Sequence, residues 1–177
     1  AHVSFKKCAR IIGLKDENIC FVDTDQNGSM NLTSFNNLLN NLLESGKKIF
    51  AVVATFGTTI RGALDPITEI GDKCKEKNIW FHIDASIGGV FLIPNKKANE
   101  INNCNISNVN SITINPQKIL GIAKTSSILL VSNIDYLKKT FLTGLPYIDS
   151  SDDVINRGEL GVQGSRPAEI IKLWLGL

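Results

Sequence analysis

Long apolar runs, paired cysteines and clustered positive charge are all missing from this chain, and each absence removes a class of function. Nothing approaches the roughly 20 consecutive apolar residues that a membrane-spanning helix needs, and no charged-then-apolar leader opens the sequence. The four cysteines (Cys8, Cys20, Cys74, Cys104) are scattered and form no CxxC pair. Reduced thiols in an intracellular protein fit that pattern better than a disulfide frame or a zinc site, so no metal is expected. The 19 basic and 17 acidic side chains nearly cancel, to a net charge of +2. With no basic run and no aromatic-interleaved basic stripe, nucleic acid is a poor partner. No initiator methionine opens the chain, which begins Ala1-His2 and stops at Leu177 inside what reads as an amphipathic helix. The expectation is an internal piece of a longer protein. The glycosylation-type triplets at Asn31 and Asn105 carry little weight without a secretory leader.

What is present is enough apolar material, 43% of 177 residues, to bury one sizeable core or part of a larger one. Residues 4–13 carry Phe5, Cys8, Ile11 and Ile12 at helical spacing, with Ser4 as a candidate N-cap and Gly13 as a stop. Residues 19–23 read as a short strand. Thr33–Ser45 reads as a helix with Phe35, Leu38, Leu39, Leu42 and Leu43 on one face. Ile49–Thr55 is a continuous apolar, β-branched run, the pattern of a strand buried on both faces. Asp65-Pro66 predicts a helix start, with Asp as N-cap and Pro at N1, running to about Lys77. Ile79–Ile83 is the next buried strand.

Strand, helix and strand repeated in this way predict an α/β fold, a mostly parallel sheet with helices on both faces. Ser111–Ile114 and Ser127–Val131 are two further strands. The connection between them is short for a helical crossover, so the last strand should run antiparallel to its neighbour. Ile134–Phe141 reads as helix, and Leu142–Gln163, polar and without periodicity, as a mobile loop. Asp23-Thr-Asp25-Gln-Asn27-Gly28-Ser29 matches the first half of an EF-hand loop. Position twelve, however, is Ser34 rather than the required glutamate, and a strand-like segment precedes it. A polar turn is the better account.

The layout gathers chemistry at one edge. Thr58-Thr59 follow one buried strand, Asp84 ends the next, and Asn115 to Lys118 follow a third. In a parallel sheet these carboxyl ends lie together, where ligands of open α/β sheets bind. A lysine in such a crevice can attack a carbonyl and form a Schiff base. A carboxylate facing a pyridine nitrogen keeps that nitrogen protonated. The pair is what pyridoxal phosphate requires: a tether for the aldehyde and a counter-charge for the ring. A surface lysine and an aspartate cap would look the same from spacing alone.

Three segments in order, ATFGTTIRGALDPITEI, IWFHIDASIGG and SITINPQKILG, resemble successive motifs of the group II pyridoxal-phosphate-dependent amino acid decarboxylases. The resemblance covers nearly the whole chain. It implies the fold-type I large domain, with residues 1–177 its central part and the phosphate-loop region and small C-terminal domain outside it. Alone, the chain is expected to be inactive. By the same resemblance, Lys118 would bind the cofactor aldehyde, Asp84 the pyridine nitrogen, and His2 would stack on the ring. Thr59, Ser86, Asn115 and Gln117 would complete the cofactor site, and His82 matches the family's histidine two before the aspartate. The implied reaction is loss of the α-carboxylate of an L-amino acid as carbon dioxide, in a cytoplasmic homodimer. Gln163-Gly-Ser-Arg166 followed by Lys172-Leu-Trp174 resembles the glutamate and cysteine sulfinate branch most. Arg166, Tyr147 and Arg61 are the substrate candidates, and arginines there would favour an acidic amino acid.

The pattern breaks in four places. Gln117 stands where the family has histidine, and it cannot carry a proton as imidazole does. Ser86 replaces an alanine under the ring, and Ser165 replaces glycine before Arg166. Tyr147 sits a few residues early for the family's loop tyrosine. These departures motivate two rivals: a catalytically degenerate scaffold, and a carbon–carbon lyase or deaminase of the same fold.

Overall fold

The computed structural model describes residues 1–92, 104–143 and 157–177. Its centre is one four-stranded sheet, in which chain order and spatial order coincide: β1 (Ala51–Thr55), β2 (Trp80–Asp84), β3 (Ser111–Ile114) and β4 (Ile128–Val131). The first three strands pair in parallel and β4 is antiparallel to β3, as the short connection predicted. Three rows run across the sheet. Val53, His82 and Ser111 form one, Ala54, Ile83 and Ile112 the next, and Thr55, Asp84 and Thr113 the last, at the carboxyl edge. Because side chains alternate along a strand, the first and third rows share a face and the middle row takes the other.

The middle-row face is the core. Ala54, Phe81 and Ile83 are fully buried there, and helix α3 (Ile67–Glu76) joins them through Ile67, Ile70 and Cys74. Gly71 lets α3 settle against Phe81: an added Cβ would lie 3.4 Å from the ring. Burial pushes the Cys74 thiol up to about 12, which keeps it protonated and inert. Helix α2 (Leu32–Glu44) adds Phe35 and Leu39 to the same cluster. The opposite face meets two other helices. Phe5 of α1 (Val3–Ile11) lies with its ring centroid 5.7 Å from that of His82, and Tyr136 of α4 (Asp135–Phe141) packs edge-on to Trp80 at 4.9 Å. Helices on both faces are therefore observed. A final helix, α5 (Ile170–Gly176), stands where the terminal amphipathic run was expected.

Several expectations need correction. Residues 19–23 form no strand. Phe21 is 71% exposed, Val22 packs only partly against the core, and the isolated bridge nearby, Thr24 to Met30, lies just beyond the segment. The N-cap of α1 is His2, whose Nδ1 accepts from the Ser4 N–H at 3.3 Å, not Ser4. Helix α2 begins one residue earlier than predicted because Asn31 Oδ1 accepts from the Ser34 N–H at 3.0 Å. Asp65 does not cap α3. Its two oxygens accept instead from the N–H groups of Met30 (2.7 Å) and Thr55 (2.6 Å). Strand β1 lacks Ile49 and Phe50, and β4 starts at Ile128. The calcium-like segment is a turn in which Asp25 Oδ1 accepts from Asn27 (2.8 Å) and Ser29 (3.0 Å). Among the described residues no group of metal-ligating side chains exists. Of the expected loop 142–163, residues 144–156, with Tyr147, lie outside the described residues, and Arg157–Leu160 form a 3-10 turn.

Candidate active site

The carboxyl edge of the sheet opens into a cleft of about 1030 Å³. Its floor is the last row: Thr55, Asp84 and Thr113. The loops after β1, β2 and β3 bring Thr58 and Thr59, Ser86, and Asn115 and Lys118 to its walls, and the start of α1 brings His2. These residues come from four separated stretches of chain. The geometry inferred from strand ends alone is thus realised.

Two close approaches shape the wall. Gly57 takes a left-handed backbone (φ 88°), and Gly88 donates its N–H to Phe56 O at 3.1 Å. A Cβ on Gly88 would lie 2.8 Å from Phe56 Cδ1, so only glycine lets the turn after Asp84 sit against the end of β1. Asp65 fastens the other side by holding the Thr55 N–H, while Thr58 Oγ1 accepts from the Ala63 N–H at 2.9 Å.

Asp84 is buried (7% exposed), and its Oδ1 accepts from the Ser86 N–H at 3.2 Å. Among the described residues it makes no ion pair. A buried carboxylate with one backbone donor is incompletely compensated, and a cationic ring nitrogen is the partner that would complete it. The Thr55 hydroxyl beside it is also buried, with no hydrogen-bond partner among the described residues. Lys118 is exposed to the cleft, so its amine is reachable from solvent, and it too makes no ion pair among the described residues. The chemistry of this donor set fits pyridoxal phosphate.

Lys118 rides on a clamped loop. Ser127 Oγ donates to Asn115 Oδ1 at 2.6 Å, and the Ser126 N–H donates to Gln117 Oε1 at 2.7 Å, tying both sides of residues 115–127 together. Gln117 therefore faces the loop base and does not line the cleft, whereas Asn115 and Ser127 do. His2 lines the cleft with Nδ1 within 2.8 Å of Ser4 Oγ. His82 also lines it, and burial holds its pKa below the usual imidazole value against the opposing pull of Asp84. Arg61 lines the wall and donates to Gln26 O at 3.2 Å. Arg166 is exposed outside the cleft lining and donates to Gln163 O at 3.1 Å. Sequence reasoning missed Thr55, Thr113 and Ser127. Thr55 carried a usable signal, since it ends its apolar run just as Asp84 ends the next.

A carboxylate at the end of β2 and a lysine on the loop after β3, on a sheet of this topology, place the chain in the fold-type I architecture. The chain belongs to the pyridoxal-dependent decarboxylase family, whose conserved domain matches residues 1–177. It is 35% identical over 179 residues to human acidic amino acid decarboxylase GADL1, covering 98% of this chain and 34% of that protein. It is 32% identical over 178 residues to the aromatic-L-amino-acid decarboxylase of Bacillus atrophaeus, covering 98% of this chain and 37% of that one. The crystal structure of mouse CSAD superposes with a TM-score of 0.87 at 30% identity, over 99% of this chain and 36% of that one. The chain thus spans about a third of the length of the curated relatives it matches.

Proposed function

We propose that residues 1–177 are the central part of the cofactor-binding large domain of a pyridoxal-phosphate-dependent decarboxylase acting on an L-amino acid. The observation that carries this reading is the meeting of Asp84 and Lys118 on one cleft, 34 positions apart in the chain, with no ion pair of their own among the described residues. Lys118 would hold the aldehyde and Asp84 the ring nitrogen, with His2, Thr59, Ser86 and Asn115 around the ring and phosphate. Gln117, whose oxygen accepts from Ser126 and which does not line the cleft, would join them through its amide N–H donors. When bound, the cofactor supplies a sink for the electron pair left behind as carbon dioxide departs. The chain's own residues bind and orient. The carboxyl end of the sheet would hold the ring through Asp84, and the clamped loop would present the Lys118 amine at a set place, so that the substrate is held in one orientation.

An acidic substrate is our reading of the specificity, supported by Arg61 on the cleft wall and by the acidic amino acid decarboxylase among the relatives. Arg166 and Tyr147 stay substrate candidates within this proposal, Arg166 outside the cleft lining and Tyr147 outside the described residues. Cytoplasmic location and homodimer formation belong to the same proposal. No helix among the described residues is long and apolar enough to cross a membrane. Gln117 favours one alternative, a catalytically degenerate scaffold, since the position that would hold a proton carrier instead braces a loop.

The test takes the full-length protein, adds pyridoxal phosphate, reduces with borohydride and locates the label by peptide mass. A pyridoxyl group on Lys118, with carbon dioxide released from an amino acid, is expected. An unlabelled Lys118 in folded protein would remove the decarboxylase reading and leave the scaffold. Labelling without carbon dioxide would leave the lyase or deaminase.

A further inference from the structure

One half-buried titratable side chain in the cleft has no part in the roles above. His82 precedes Asp84 by two residues on the same face of β2, between two hydroxyls of β3. Its Nδ1 lies 2.8 Å from Ser111 Oγ, and its Nε2 lies 3.3 Å from Thr113 Oγ1. Ser111 Oγ also accepts the indole N–H of Trp80 at 2.9 Å. Ser111 Oγ accepts from the indole and keeps its own proton for donation, and we assign that proton to Nδ1, 2.8 Å away. The single proton of the neutral imidazole is then on Nε2 and points at Thr113 Oγ1. Thr113 accepts it, and its own hydroxyl proton is left for the cleft. Thr113 is the register partner of Asp84, with both side chains on the cleft floor. The Phe5 ring covers the imidazole from the helix side.

Resting on the cofactor reading above, we propose that His82 is a positioning residue for the ring-nitrogen side of the site. Acting through Thr113, it supplies a directed hydroxyl donor beside Asp84 and so sets how that carboxylate meets the cofactor ring. The Trp80–Ser111–His82–Thr113 ladder occupies one side of the Thr113 hydroxyl and leaves its proton for the side that faces the cleft. A donor to a carboxylate changes both its aim and its charge density, so the bound ring registers the ladder in its absorption band as well as in its affinity.

The test compares the full-length protein with its Thr113→Val, His82→Leu and His82→Gln variants, each titrated with pyridoxal phosphate. Readouts are the dissociation constant and the absorption maximum of the bound cofactor, with borohydride labelling of Lys118 confirming loading. Thr113→Val deletes one donor at nearly constant shape. It is expected to weaken binding about tenfold and to move the band, as one hydrogen bond to a charged group implies. His82→Leu should do the same, and His82→Gln, which can accept from Ser111 and donate to Thr113, should restore most of both. A Thr113→Val protein that loads Lys118 with wild-type affinity and an unmoved band overturns the inference, whether or not His82→Leu folds. Failure of the wild-type protein to load at all overturns the cofactor reading, and this inference with it.

Discussion

Asp65 accepts from the backbone of Met30 and of Thr55, and so fastens the segment before α2 to the end of β1 at the cleft. Both bonds end on a carboxylate, which makes each worth more than a neutral one. Replacing Asp65 by Ala leaves two part-buried N–H groups unpaired and is expected to cost about 3 kcal/mol in urea unfolding, whereas Asn, with one good acceptor, should lose about half of that. Equal stability of Asp65→Ala and wild type would show that water replaces the carboxylate. From sequence this residue looked like a helix cap, because an aspartate before a proline is the usual cap signal. Its true partners lie 35 and 10 residues upstream, beyond the reach of local pattern. Asp84 and Lys118 were legible for the opposite reason. Each is the polar residue at or after the carboxyl end of an apolar run, so the strand reading alone placed them. Thr113 could not be assigned to the cleft floor until the β2–β3 register was known.

Among the elements, the turn after β2 is tightly constrained. Gly88 and Gly89 are buried, and a methyl on Gly89 would come within 2.7 Å of Ile114 Cγ1, while one on Gly88 would press on Phe56. Gly88→Ala must push the turn away from β1, and with it Ser86, whose N–H holds Asp84. Overpacking of this kind costs about 1–3 kcal/mol. Calorimetry should show the lower melting temperature, and cofactor affinity should fall with it; an unchanged variant would mean that the two loops can part without consequence. The strands themselves were read well because continuous β-branched runs have few other uses. Residues 19–23 shared that composition yet form no strand: Phe21 stays exposed and the sheet ends at β1. Composition reports what a segment can do, whereas pairing depends on who lies next to it.

At the scale of the molecule, many large apolar side chains among the described residues stand open, on the edge strand and the last helix among other places. Leu129 and Leu130 of the edge strand β4 are 57% and 49% exposed, and Trp174 and Leu175 of α5 are 78% and 72% exposed. Patches of this kind are normally covered by protein. Our dimer proposal predicts that the full-length protein sediments at twice its chain mass at micromolar concentration; a monomer there would remove the proposal. The sheet has a further consequence, for how the chain tolerates change in length. Most cleft residues enter at the carboxyl edge of β1, β2 or β3 or from α1, with Thr24, Gly28 and Ser127 joining from adjoining loops, while the connections at the other edge, around 46–48 and 77–78, are exposed and hold none of them. Extra residues spliced in at Gly46–Lys48 emerge into solvent on the far side of the sheet. The same number placed between Asn115 and Ser127 would part the two clamps and carry Lys118 away from Asp84. One rim of this protein is therefore open to insertions, epitope tags and evolutionary drift in loop length, and the other is closed to all three.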